Sequence, residues 1–515
     1  MKRATLIPFI KLKAKHCDIH MINIKFKKMK ALKYIFLILF LGSILQSCSD
    51  DFLEETNPND ISNETFWQTE THAKAGITSL YGALSMNYNY GVFEYIYMPE
   101  NWRSDEFIHN DAGYPSWGTL STFTNNANVG EISSYYSNCY SIISKANQCI
   151  AHIPECDMAQ ATEEENTALI NDYIAEAKFF RAFAYFRLLK NFRNPPFITK
   201  ETSSQDELYP SQVDRDEIWT LVIEDLKFAM NNLPSKTNRT DGRATSGAAA
   251  GYLASVHMNN QQYSEALPVL NKIIAGDFGT YDLTPTYREN FNGTNENNIE
   301  SLFEIQYAIS PDKWKTTHTL EATFAWWAVG LSTPWMVNLL TNSFDNDANV
   351  DQRTQDALYT QYSGYENWIE KWNMDESLDG KGTYAVNNLV QLRFADILLY
   401  YAEALGENNA SEIPTAYTHI NKIRNRNNLP ALSAGTPAQF RNDIMNERSI
   451  EFCFESHRWY DLVRWDEAGW IDLKQTLIDN QKPGATNFDP AKHTYYPIPD
   501  YEYDSNPNLK RDLQW

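Results

Sequence analysis

The chain has 515 residues, 44 of them Lys or Arg and 66 Asp or Glu, for a formal charge of −22 at neutral pH. An acidic excess of this size repels phosphate backbones and anionic headgroups, which argues against nucleic acid as a ligand and against membrane binding through a basic patch. The length allows a large core and roughly two to four domains.

In chain order, residues 1–47 read as a segment removed before folding. Tyr34 to Leu45 is an apolar run of twelve residues behind Lys27, Lys28, Lys30 and Lys33. This is the layout of a bacterial export signal and is too short to cross a bilayer. Leu45-Gln46-Ser47-Cys48 then resembles a lipobox, in which Cys48 is lipidated and becomes the new N-terminus; unlipidated cleavage near Ser47 is the alternative. The basic and apolar regions read naturally from Met29, which leaves residues 1–28 open to being a misassigned start. The mature chain keeps 34 basic and 65 acidic residues, a formal −31. Membrane attachment then falls to acyl chains on Cys48, at about 0.8 kcal/mol per buried CH₂. Residues 48–64 are a polar tether. Its opening, SDDFLEE, resembles the acidic signal that sends such lipoproteins to the cell surface, although an ordinary acidic linker has the same composition.

The spacing of apolar residues predicts helices over Thr65–Met86, Ile132–Ile150, Ala168–Asn191 and Asp214–Leu233, the last stopped by Pro234. Gly247–Ala275 predicts two helices about a turn at Asn259-Asn260. Ala254 and Ala266, flanked by Leu253 and Leu270, fit the close crossing of a tetratricopeptide-like hairpin. A related pair is predicted at Val390–Arg424. Between them, 281–388 lacks sustained helical periodicity apart from Trp335–Leu340. Six of the fourteen tryptophans lie between 314 and 372, so aromatics gather in a stretch that reads as irregular. Cys139 and Cys149 are ten residues apart on one predicted helix, about 15 Å, too far to bridge. A Cys149–Cys156 bridge remains open, Cys453 reads as a buried small hydrophobe, and the spacing of all four fits no metal motif.

Arg441–Trp465, RNDIMNERSIEFCFESHRWYDLVRW, carries two helical patterns at once. Arg448, Glu451, Glu455, Arg458, Asp461 and Arg464 form one row of alternating charge on a continuous helix. Ile450, Phe452, Cys453, Phe454, Trp459, Leu462, Val463 and Trp465 fill the other faces. Either the row is a solvated face, or the helix is central and its charges are met by partners on other elements.

This stretch also resembles the ER-x-x-E … R-(aromatic)-(aromatic)-D-L-x-R-W segment of SusD/RagB-family outer-membrane lipoproteins. The resemblance continues in AEAKFFRAFAYFRLLKNF, in LRFADILLYYAEAL followed by AYTHINKIRNR, in the Asp351-x-Arg353 turn and in the closing YYPIPDYEYDSNPNL. The chain departs at Arg193-Asn194-Pro195-Pro196, where the family usually has Gly before the proline, and at Lys510–Gln514, which replaces a Gln-Asn-Pro-Gly ending. The resemblance implies an all-α, tetratricopeptide-like body. It divides the mature protein into an N-terminal helical region (65–280), an aromatic-rich ligand-binding insertion (281–388) and a C-terminal hairpin with closing segment (389–515).

The sequence has no G-x-S-x-G elbow, H-E-x-x-H, Walker loop or G-x-G-x-x-G, and neither catalytic residues, a metal site nor a cofactor is assigned. Asp345, Asn346, Asp347, Asn349 and Asp351 are oxygen-rich but lack the glycine and distal glutamate of an EF-hand, so a hydrogen-bonded turn is expected there. A neutral polysaccharide offers flat C–H faces and rings of hydroxyls, and its site needs rigid aromatics flanked by amides, carboxylates or Arg. Two stretches supply these. The first, Tyr88–Trp117, sets Tyr90, Tyr114 and Trp117 among Asn101, Arg103, Asn110 and Asp111. The second supplies Trp314, Trp326, Trp327, Trp368 and Trp372. Trp117, after Gly113-Tyr114-Pro115-Ser116, reads as a loop tip, whereas Trp102 and Trp335 read as core. The resemblance further implies a surface-exposed lid that captures a glycan and hands it to a SusC-type TonB-dependent transporter. A peptide ligand is the alternative, followed by a scaffold or a glycosidase.

Overall fold

The computed structural model describes residues 66–84, 96–110, 115–202, 204–307, 324, 329–342, 351–362, 365–373, 385–512 and 515. The export signal, Cys48 and the tether lie outside these residues. The helices begin with α1 (Glu70–Leu84) and the short α2 (Met98–Asn101). Strand β1 (Phe107–His109) and α3 (Pro115–Ser121) follow. Two long helices come next, α4 (Gly130–His152) and α5 (Glu163–Asn191). Then come α6 (Arg215–Asn232), α7 (Ser246–Asn259) and α8 (Tyr263–Ala275).

Helix α5 shows how the sequence sets these boundaries. A capping box opens it, with Thr162 Oγ1 accepting from Glu165 N and Glu165 Oε2 accepting from Thr162 N, both at 3.1 Å. Three glutamates follow in the first turn, where the helix dipole favours them. At the other end the Arg215 guanidinium donates to the carbonyls of Leu189 (2.8 Å), Phe192 (2.9 Å) and Arg193 (2.5 Å). It thereby satisfies groups that would otherwise lack partners. From Tyr173 onward nearly every face of α5 is buried, so it forms an axis on which α4 and α6 pack from either side. Helix α7 is buried along almost its whole length and is built from small residues. A Cβ on Gly251 would stand 2.5 Å from Leu392 and 2.8 Å from Leu302, so only glycine permits this approach. Ala254 and Ala266 are both fully buried within the α7/α8 hairpin.

Between the hairpins lie β2 (Ser301–Ile305), β3 (Gly330–Ser332), α9 (Pro334–Thr341) and α10 (Gln352–Ala357). The strands β4 (Leu358–Tyr362), β5 (Tyr365–Ile369) and β6 (Leu389–Arg393) follow. The chain then forms α11 (Phe394–Asn408), α12 (Ile413–Arg426), α13 (Pro437–Glu451), α14 (Arg458–Glu467) and α15 (Leu473–Asp479). Helices α4 to α8 pack in sequence order, and α8 continues onto α11, α12 and α13, the nearest-neighbour stacking of a helical-repeat array. Among the described residues the strands make three two-stranded antiparallel sheets, β1–β3, β2–β6 and β4–β5. The fold is therefore mostly helical and tetratricopeptide-like, as expected. Residues 67–515 form one unit.

The predicted continuous helix over 441–465 is corrected. It stops at Glu451 and restarts at Arg458, with Phe454 (φ 64°) and Ser456 (φ 65°) in the left-handed region. Such a conformation is costly for residues with a Cβ and persists only where the surroundings fix it. Here Phe454 O accepts from Tyr97 Oη, and Ser456 N donates to Asn101 Oδ1 at 3.1 Å. The charge row is not a solvated face: all six residues are at most 7 % exposed. Around Glu451, five cations (Arg353, Lys371, Arg393, Arg424, Arg426) and five carboxylates (Glu300, Asp351, Glu447, Glu451, Glu455) form one linked ion-pair network. Arg393 alone reaches Glu300 at 2.7 Å, Glu451 at 2.5 Å and Glu455 at 2.8 Å. Burial by itself would raise the Glu451 carboxyl, but Arg426, Arg393 and Arg353 hold it well below the usual carboxylate range. Beside it, Arg448 and Arg464 both pair with Asp461 at 2.8 Å, and Arg464 also pairs with Glu403. Among the described residues the four cysteines, Cys139, Cys149, Cys156 and Cys453, are buried and unlinked, so the Cys149–Cys156 bridge left open by the sequence is not formed.

Arg393→Met leaves Glu300, Glu451 and Glu455 short of their shared cation. It should cost about 3–5 kcal/mol, read as a lowered urea midpoint at unchanged m-value; a loss below about 1 kcal/mol would show that the network does not carry the core.

Candidate functional site

Parts of the two aromatic-rich stretches, distant in sequence, meet around β1 and β3. Strands β1 and β3 pair with Phe107 opposite Ser332, Ile108 opposite Leu331 and His109 opposite Gly330. Asn110 N extends the ladder to Val329 O at 2.8 Å. Tyr97, Trp102 and Phe107 from the first stretch pack with Phe324 and Trp372 from the second, at centroid distances of 5.1–6.3 Å. Trp368 of β5 packs against Leu331 of β3. Edge-to-face and stacked rings at these distances add to the burial they provide.

Beneath this aromatic floor the segment 100–107 is tied to the C-terminal helices by buried polar groups. The Asp105 carboxylate takes a two-point contact from Arg458 at 2.8 Å each and a third bond from Asn480 at 2.6 Å. Lys482 Nζ donates to Trp102 O (2.8 Å), Phe107 O (2.7 Å) and Ser121 Oγ (3.0 Å). Arg103 lies between the rings of Trp459 and Tyr496 and donates to Asn191 Oδ1 at 2.6 Å and Thr494 O at 2.9 Å. Thr333 N donates to Glu106 O at 2.9 Å, which fixes β3 on the same segment. Burial pushes the Glu106 carboxyl up to about 8, and the neighbouring Asp105 adds to this against Arg458. Burial also pushes the Lys482 ammonium down to about 7 against Asp105 and Glu106.

The residues singled out from the sequence divide into two groups. Trp117 is on α3 rather than at a loop tip; it is 6 % exposed and its indole Nε1 donates to Glu131 at 2.7 Å. Trp368 and Trp372 are 2 % and 3 % exposed, so these three rings are presented to the interior. Tyr90, Tyr114, Trp314, Trp326 and Trp327 lie outside the described residues, as does 345–349. In sequence, Trp326 and Trp327 lie three and two residues before Val329, and Tyr114 four residues after Asn110, the pair that closes the β1–β3 ladder. Asn101 and Arg103 were expected beside a ligand, but they are spent on the interior. Every residue from Glu100 to Glu106 is buried and all but Trp102 are polar, a burial that composition alone does not reveal. Asp351 caps α10 through Arg353 N at 3.0 Å and pairs with the Arg353 side chain at 2.9 Å, a hydrogen-bonded turn. Trp102 is fully buried as expected, and Trp335 lies under Arg458 at 4.7 Å.

These features define a helical-repeat body with aromatic-rich insertions whose buried rings pack together around β1 and β3. The model described as the SusD family matches residues 237–515, and the model described as starch-binding associating with outer membrane matches residues 51–258. The chain belongs to the SusD/RagB family, whose members bind carbohydrate and take part in nutrient uptake at the outer membrane. It is 27% identical to the SusD-like protein P38 of Formosa agariphila over 86% of this chain and 93% of that one. It is 26% identical to a SusD-like protein of Bacteroides ovatus over 82% and 80%. Among solved structures, a SusD superfamily protein from Bacteroides vulgatus superposes with a TM-score of 0.73 at 27% identity, covering 88% of this chain and all of that one. A laminarin-binding SusD-like protein shares the fold with a TM-score of 0.70 at 24% identity, over 87% and 100%. No helix among the described residues is long and apolar enough to cross a membrane.

Two outcomes follow from this geometry. Trp117→Ala should cost about 3–5 kcal/mol of stability, the range for a truncated buried aromatic, measured by denaturant titration; an unchanged midpoint would show the ring to be surface. Glu106 holds a raised carboxyl, so the folded state keeps a proton that the unfolded state releases above roughly pH 4.3. Its contribution to stability therefore falls as pH rises from about 5 towards 8. Against the wild type, Glu106→Gln should gain progressively in relative stability across that window; a pH-independent difference would rule out this assignment.

Proposed function

We propose that this protein is a surface glycan receptor, lipidated on Cys48, that captures a poly- or oligosaccharide and delivers it to a SusC-type TonB-dependent transporter. The observation that carries this reading is the convergence of the two aromatic-rich stretches on the β1–β3 edge, anchored from below by Arg458, Lys482 and Arg103. Aromatic faces take up the C–H faces of sugars, and a rigid mount limits the entropy lost on binding. Tyr90, Tyr114, Trp314, Trp326 and Trp327 are the platforms in this reading, and the buried Trp117, Trp368 and Trp372 are not. Binding rather than turnover accords with the character of the family. The helical array supplies the face for the transporter, since stacked hairpins present extended surfaces to protein partners. Ligand occupancy biases an open and closed lid only as far as the ligand prefers one of the two states. The exterior orientation is supported by the resemblance of SDDFLEE to an acidic surface-export signal.

The test is the full chain in detergent with a panel of soluble polysaccharides, laminarin among them, and oligopeptides, with retention and new reducing ends followed together. Saturable retention of one glycan class with no new reducing ends is expected, and Trp327→Ala should weaken it about tenfold at unchanged melting temperature. New reducing ends would make the protein a glycosidase, and peptide-only retention would replace the glycan with a peptide.

A further inference from the structure

Lys190, in the last turn of α5, is half-buried. Among the described residues its ammonium has no carboxylate, carbonyl or amide within hydrogen-bond reach; it rests over the rings of Tyr460 at 3.9 Å and Phe186 at 4.7 Å. The acids around it are already engaged. Glu100 accepts from Tyr135 Oη at 2.9 Å and faces Arg187 at 3.4 Å, and Asp461 is held by Arg448 and Arg464. Burial pushes the ammonium down to about 8, with Glu100 opposing and Arg187 adding to the effect. A cation withdrawn from water without a counter-ion is unfavourable, and a ligand carboxylate would relieve that cost.

Lys190 borders a cleft of about 350 Å³ between α5, the start of α6, the end of α7 and α14. Its walls include the rings of Trp219, Tyr460 and Tyr495, and its rim carries Asn259 and Asn260. The two amides donate to Ser255 O (2.8 Å) and Val256 O (3.1 Å) within α7, which leaves their side-chain oxygens to accept from hydroxyls. Of the other charged residues of the cleft, Arg215 is committed to three carbonyls at the end of α5, Arg464 to Glu403 and Asp461, Asp214 to the cap of α6 and Glu467 to Tyr495 Oη, while Asp216 is exposed to solvent. Aromatic walls, acceptor amides and one unneutralised ammonium in a concavity of ligand size are the chemistry of a sugar that carries one negative charge. We propose that this cleft is a second saccharide site, separate from the aromatic edge, and that it takes a uronate whose carboxylate pairs with Lys190 and whose ring packs on Trp219 or Tyr495.

Cellobiouronic acid and cellobiose, which differ by one carboxylate, separate the charge from the ring. Titrated calorimetrically into the full chain in detergent, the acid should bind about 10–100-fold more tightly than the neutral sugar. Lys190→Met should erase that ratio at unchanged melting temperature, Lys190→Arg should preserve it, and Trp219→Ala should weaken both ligands. Trp327→Ala, at the aromatic edge, should leave cellobiouronic acid binding intact, so that this proposal and the glycan-receptor reading fail separately. The proposal is overturned by an absence of binding, by equal affinity for the two sugars, by a ratio that survives Lys190→Met, or by loss of uronate binding in Trp327→Ala. Displacement of the acid by acetate at equal concentration would likewise overturn it, by reducing the site to one for a bare carboxylate.

Discussion

Glu451 accepts from Arg353, Arg393 and Arg426 at once, and the rest of the structure depends on this contact. Five cations and five carboxylates link up around it in the interior, where an unpaired ion would cost several kcal/mol. The partners come from the loop before β2, the turn into α10, the residue pair after β5, the end of β6, and helices α12 and α13. No single element can bury its share until the others arrive. Rings complete the environment, with the Arg393 guanidinium 4.6 Å above Phe452 and Arg448 4.3 Å above Tyr400. The whole network is charge-balanced, so its desolvation is met within the protein, but each member is dispensable only if its partners go with it.

The same network reaches the candidate site. Lys371 joins it through Glu455 at 2.5 Å and also donates to Cys453 O at 2.7 Å; its neighbour Trp372 is part of the aromatic floor. Arg458, three residues beyond Glu455, grips Asp105 beneath β1. A binding surface carried by insertions is only as well defined as its mount. Here the mount is a set of two-point charged contacts and a lysine with three acceptors, all shielded from water. The left-handed Phe454 and Ser456 stand at the junction between network and floor, which is why the helix breaks there despite apolar and charged residues at helical spacing.

The helical body was legible because its signals are local. Asp214 ahead of α6 and Pro234 behind it mark helix ends within a few residues, and Ala254 and Ala266 mark a close crossing by size alone; the Thr162–Glu165 capping box, which starts α5 five residues before the predicted Ala168, is a local signal that the apolar spacing did not reach. The alternating charges of 448–464 were legible as a row but not as a buried one, because burial depends on partners such as Glu300, Arg353 and Arg393, which lie 55 or more residues earlier. The break at 452–457 was hidden for the same reason: its cause is Tyr97, Asn101 and Glu106 from the other end of the chain. At the site, the convergence of the aromatic stretches rests on a three-residue strand pair too short to announce itself in sequence. Trp117 was misplaced because Gly113-Tyr114-Pro115-Ser116 signals a turn, while the proline equally suits the first turn of α3.

Charge distribution decides what each concavity can hold. Among the described residues ten arginine side chains, Arg103, Arg181, Arg187, Arg353, Arg393 and Arg448 among them, are at least 94 % buried, most of them paired to acids inside. Because these arginines are matched by buried acids, the core is close to neutral and the acidic excess of the chain is left to its surface. Such a surface disfavours polyanions in general, which suits an aromatic edge for neutral glycan. An acidic sugar can be admitted only where a cation is left uncommitted, and in the α5–α6–α7–α14 cleft that cation is Lys190, kept from the network by Tyr460 and Phe186 rather than neutralised by it.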